Sequence, residues 1–187
     1  WCDNTSSSSR SVWSGGTMAG TGTTVVASTA PLTLATGASN LVLNGRAFTT
    51  SSTNATWSGN NNIQIGNGAI FTNAGSLTAT GNGTLHNAVG GVGAFVNSGT
   101  LTKTTGAGAM TLFTNGQFDF TNSGTLDIQS GSVDANSSSF TQSGTLILGT
   151  GTTLSRAAGL TNTGIVQGNG AIDVGSGTFT NGGTIRP

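Results

Sequence analysis

Residues 120–126 read "FTNSGTL" and residues 140–146 read "FTQSGTL". Four further copies follow from aligning the chain on this pattern: "FTNAGSL" at 71–77, "FVNSGTL" at 95–101, "LTNTGIV" at 160–166 and "FTNGGTI" at 179–185. Their starts are 24, 25, 20, 20 and 19 residues apart. A period of this size belongs to solenoids and arrays, in which a short unit stacks on copies of itself. A second pattern, Gly-x-Gly followed by an apolar residue, lies between the copies at 81–85, 106–110, 149–154 and 168–172, and before them at 20–25 and 66–70. Each repeat thus has at least two turns.

Between the turns sit stretches too short for helices, such as Leu41-Val42-Leu43, Ile63-Gln64-Ile65 and Leu146-Ile147-Leu148. Gly, Thr, Ser and Asn dominate the rest, and these are poor interior helix residues. The expectation is an all-β chain: a single parallel β-solenoid with coils of about 19–25 residues, preceded by a polar tail over 1–12 and occupying 13–187. Upstream the period is blurred but visible, because "WSGGTMAGTGTTVV" at 13–26 resembles "WSGNNNIQIGNGAI" at 57–70, two coils further on.

In such a coil each strand pairs with its equivalent about 4.8 Å away along the axis, so equivalent side chains stack. This predicts an internal column of Phe71, Phe95, Phe120, Phe140, Leu160 and Phe179, and a second of Leu77, Leu101, Leu126, Leu146, Val166 and Ile185. The third motif position, Asn73, Asn97, Asn122, Gln142, Asn162 and Asn181, is read as an amide ladder at a corner. The fifth position is always Gly (Gly75, Gly99, Gly124, Gly144, Gly164, Gly183), read as a residue needed for positive φ.

"TWSGNNNIQIGNGAIFTNAGSL" and the "NSGTL" coils resemble repeats of large bacterial secreted and surface β-solenoid proteins, of the autotransporter-passenger and filamentous-haemagglutinin kind. The resemblance covers roughly 13–187. It implies a stalk, an adhesin or a matrix component, secreted or at the cell surface.

The 187 residues carry formal net charge zero, with only 5% charged. Arg10, Arg46, Lys103, Arg156 and Arg186 are scattered singly, so no phosphate-binding patch forms in sequence and no nucleic acid is expected as a partner. No run approaches the roughly 20 apolar residues of a membrane-spanning helix. The start, "WCDNTSSSSR", has no basic region followed by an apolar run, so any secretion signal is expected to have been removed or to lie outside this chain. Cys2, the one cysteine, is left as a free thiol, a bond to another chain or an attachment point.

Catalysis is not expected. There is no Glu, and His86 is the only histidine, so neither a His-based triad nor a multi-His metal site can be assembled, and no cofactor is implied. Asp127 and Asp134 flank a turn and are candidate oxygen ligands for Ca²⁺, although solvated outward positions account for them. Thr-x-Thr pairs at 21/23, 78/80, 102/104 and 150/152 raise ice binding, but the column of Thr78 and Thr102 continues as Asp127 and Ile147, so the array is expected to stop after two rungs.

The reading is a non-catalytic extracellular structural element of a bacterial surface layer, matrix or head-to-tail fibre. Its partners would be copies of itself or the rest of a longer repeat array, since 179–187 still match the repeat and bare strand edges template association. An adhesin or glycan-binding passenger is the first alternative and an ice-binding protein the second.

Overall fold

The computed structural model describes residues 10–112 and 117–187. Trp1 and Cys2 lie outside the described residues. Short strands of three to six residues assemble into three parallel sheets of nine, eight and eight strands. Every strand pairs with the one three further along the chain, so each turn contributes one strand to each sheet. The chain is a parallel β-solenoid. The first sheet runs from Ser11–Trp13 to Thr184–Arg186, the second from Gly16–Ala19 to Ala171–Asp173, and the third from Thr23–Val26 to Phe179–Asn181. The first strand opens at Ser11, which pairs with Leu32. No described helix is long and apolar enough to cross a membrane.

Alternation of side chains along each strand explains why so polar a sequence folds. Within "TLDI", Leu126 and Ile128 point inward and are buried while Thr125 and Asp127 point outward. Each coil supplies two or three such inward residues per strand set, too few to bury alone but continuous once stacked.

The Phe column forms as expected: Phe71, Phe95, Phe120 and Phe140 are in direct register, and Leu160 pairs with Phe179. It also extends upstream to Phe48, which the motif alignment missed. Ring centroids are 4.6–5.6 Å apart, tilting from edge-on between Phe48 and Phe71 to parallel between Phe95 and Phe120. The Leu column also holds, from Leu77 to Ile185. Trp13, Leu34 and Trp57 share one inward column, which places the two "WSG" segments two coils apart. Trp13 caps the aromatic stack 5.7 Å from Phe48.

The motif glycines differ from expectation. None of the six has positive φ; left-handed backbone occurs instead in the other turns, at Asn67 and at glycines such as Gly68, Gly106 and Gly151. A Cβ on Gly99, Gly124, Gly144, Gly164 or Gly183 would lie 2.0–2.1 Å from the carbonyl oxygen of the motif glycine one coil earlier. That carbonyl accepts the N–H of the residue following the next glycine, as in Thr100 N–H to Gly75 O at 2.7 Å and Thr125 N–H to Gly99 O at 2.7 Å. Glycine is required because the corner stacks backbone on backbone.

Candidate functional surfaces

The corner between the third and first sheets holds the amide ladder. Asn73 Nδ2 donates to Asn97 Oδ1 (2.8 Å), Asn97 to Asn122 (2.7 Å), Asn122 to Gln142 Oε1 (2.8 Å), and Asn162 to Asn181 (2.7 Å). The second N–H of Asn73, Asn97 and Asn122 goes to the carbonyl of Thr100, Thr125 and Thr145 in the following coil. Gln142 interrupts the series. Its longer side chain turns its amide N–H onto Gly144 O at 2.9 Å within its own corner. The ladder is buried from Asn73 to Asn162, so it is an internal structure and unavailable to a ligand.

The aspartates do not come together. Asp127 faces outward from the first sheet, Asp134 from the second and Asp119 from the third. Each carboxylate is taken up locally: Asp127 Oδ2 accepts Gln129 Nε2 (2.7 Å), Asp134 Oδ1 accepts Asn136 Nδ2, and Asp119 Oδ1 accepts Ser139 Oγ (2.6 Å). Burial raises the Asp134 carboxyl above its ordinary value, with Asn136 opposing the shift. Asp127 and Asp134 thus lie on strands of different sheets, and no cluster of three His, Cys, Asp or Glu exists among the described residues.

The outer faces carry more threonine than the motif suggested. On the first sheet Thr33, Thr56, Thr78 and Thr102 are in consecutive register before Asp127 and Ile147. The column thus runs four rungs and not two, because two coils with blurred periodicity precede the clear ones. A second column, Thr49, Thr72, Val96, Thr121 and Thr141, runs along the third sheet. The pair at 150/152 lies in a turn, with Thr152 buried and its Oγ1 on Gly149 O, and the pair at 21/23 straddles a turn and the first residue of the strand Thr23–Val26.

Two of the five basic residues are in the interior, which sequence reasoning missed. Lys103, the only lysine, is fully buried in the column between Ala79 and Ile128. Its Nζ donates to Thr105 O (2.9 Å), Gly106 O (2.8 Å) and Asn82 Oδ1 (3.3 Å), one acceptor for each ammonium hydrogen. Arg156 is buried at another corner, with Nη1 on Ala135 O (2.7 Å) and Ser137 O (3.0 Å) and its guanidinium 5.7 Å from the Phe140 ring centroid. Burial lowers the pKa of both. The signal was present in the alternation: in "TLTK" and "TLSR" the cation occupies the inward phase set by Leu101 and Leu154. His86 stands in an outward phase, half-buried, with burial lowering its pKa.

No known protein family, characterised protein or solved structure matches this chain. The arrangement itself must carry the reading. Its buried amides are spent on corner ladders, and the outward strand positions of the first and third sheets carry columns of threonine hydroxyls. At the end formed by the last described coil, Leu148, Val166, Ile172, Phe179 and Ile185 line an open apolar cavity of about 360 Å³.

Proposed function

We propose that this chain is a non-catalytic, extracellular structural element of the bacterial surface-solenoid kind, whose role is to form a rigid rod in a surface layer, matrix or fibre. The observation that carries this reading is the continuity of the columns: the Leu77-to-Ile185 series and its flanking strands keep one register from coil to coil. Each added coil lengthens such a rod by about 4.8 Å at constant cross-section. The low charge suits it, since a charge repeated on each rung would face its own copy across that spacing.

The test is immunogold electron microscopy of the source cells. Label on rods or a layer outside the envelope is expected; label confined to the cytoplasm overturns the reading. A second reading, ice binding, is favoured by the four-rung threonine column of the first sheet. It requires thermal hysteresis that Thr78→Lys abolishes, and a solution freezing as a control protein does excludes it.

A further inference from the structure

Lys103 holds its ammonium in the interior against uncharged oxygens: Thr105 O, Gly106 O and Asn82 Oδ1. The coil that follows keeps the Asn82 side chain in place. A Cβ on Gly106 would collide with Asn82 Oδ1, and one on Gly108 would lie 2.8 Å from Asn82 Nδ2, so both glycines leave room for this amide. The coil before holds its main chain, the Asn82 N–H donating to Asn60 Oδ1 at 2.9 Å. The half-buried carboxamide thus turns its carbonyl onto the one lysine of the chain.

Asn82 precedes a glycine, and in that dipeptide the following nitrogen can attack the side-chain carbonyl carbon, since no Cβ obstructs the approach. The other described Asn-Gly pairs are restrained. Gly45, Gly68, Gly170 and Gly182 donate their N–H groups to Gly66 O (3.0 Å), Val92 O (2.7 Å), Leu148 O (3.1 Å) and Asn162 O (2.8 Å). Gly83 N–H has no such acceptor among the described residues, and only its carbonyl is engaged, by Thr111 N–H at 3.2 Å. A nitrogen free of hydrogen bonding therefore adjoins an amide carbonyl that an ammonium polarises.

We propose that Asn82 is a self-modification site, whose side-chain amide is lost as ammonia to leave a carboxylate paired with Lys103. Gly83 N gives up its proton to hydroxide and bonds to Asn82 Cγ, while the Lys103 ammonium stabilises the negative charge that develops on Oδ1. The Cγ–Nδ2 bond breaks, ammonia departs and a five-membered cyclic imide is left. Water then adds at Cγ and breaks the new Cγ–N bond, its oxygen staying on the carboxylate and the nitrogen regaining its proton. One water enters and one ammonia leaves, with nothing oxidised or reduced. Opening at the main-chain carbonyl instead inserts a methylene into the chain and draws Leu85 and His86 out of register with Ile63 and Gln64, so aspartate is the favoured product. The ammonium is already desolvated in the folded coil, and a carboxylate in place of the amide adds attraction without further burial of the cation. The modification needs no enzyme and does not depend on the proposed structural role.

Peptide mass mapping of the full chain held at neutral pH tests this. A gain of about one dalton is expected at Asn82, about tenfold or more faster than at Asn44, Asn67, Asn169 or Asn181. In Lys103→Met the rate at Asn82 is expected to fall by about tenfold or more. Conversion at Asn82 no faster than at the other four, or unchanged by Lys103→Met, overturns the proposal. So does a product that is mainly isoaspartate, read with an isoaspartyl methyltransferase. Asn82→Asp is the second variant and needs no loss of the lysine: its thermal midpoint is expected to exceed that of the freshly made wild-type chain, and an equal or lower midpoint overturns the ion pair.

Discussion

Asn97 Nδ2 donates to Asn122 Oδ1 at 2.7 Å inside a corner from which solvent is excluded. Asn97 and Asn122 each accept from the amide one coil earlier and donate to the amide one coil later, so removal of either strands donors and acceptors in two other coils. A buried polar group without a partner is more costly than the net gain of a hydrogen bond.

Asn122→Leu keeps the volume and deletes the hydrogen-bonding groups, leaving Gln142 Oε1 and Thr145 O without their donors. A loss of about 2–4 kcal/mol is expected, read from urea denaturation. Asn181→Leu, at an exposed rung, is expected to cost about 1 kcal/mol or less. Equal losses at the two positions would show that burial of the ladder is irrelevant.

Asn73 Oδ1 is buried with no hydrogen-bond partner, because the residue in register one coil earlier is Thr50. Thr50→Asn supplies an amide at that place and should extend the ladder upward by one rung. A gain of about 1 kcal/mol is expected. A lower denaturation midpoint would mean that the Thr50 hydroxyl, which accepts Ser52 N–H at 3.2 Å, matters more.

Gly124→Ala places a methyl 2.0 Å from Gly99 O, and a hydrogen-bonded backbone cannot move aside as a side chain would. A loss of about 4 kcal/mol or more is expected. Gly151→Ala is the comparison, with φ of 77° and nothing within 4 Å of the added methyl. Its cost is conformational, about 1–2 kcal/mol. Thermal unfolding of the two variants separates close approach from backbone strain.

Lys103 links stability to alkaline pH. Burial lowers its pKa from the ordinary 10.5. Between the lowered value and 10.5 the unfolded chain binds more protons than the folded one, so stability rises with pH through that window and is flat below it. The chain has no Tyr and no second Lys, which leaves the window nearly free of other titrations. In Lys103→Met the rise is expected to vanish, while Met keeps an unbranched apolar stem in the column. An unchanged slope in a series of urea midpoints across this range would assign the effect elsewhere.

The sequence by itself determined the solenoid, its coil length and its principal columns, because a repeat that pairs with itself must place identical residues in register. The columns of Phe120 and Leu126 were legible from spacing alone, and so was the ladder, since Asn recurs at one fixed distance from both. Tertiary structure alone decided the rest. Whether glycine served φ or close approach depended on the distance between successive corners, which no single-coil pattern contains. The fate of Lys103 and Arg156 depended on strand phase and on whether uncharged corner oxygens lay within reach. Asp127 and Asp134, seven positions apart in sequence, were separated onto different faces because a corner falls between them. Register along the axis is a local property repeated many times; what meets across a corner is set by the closure of the whole turn.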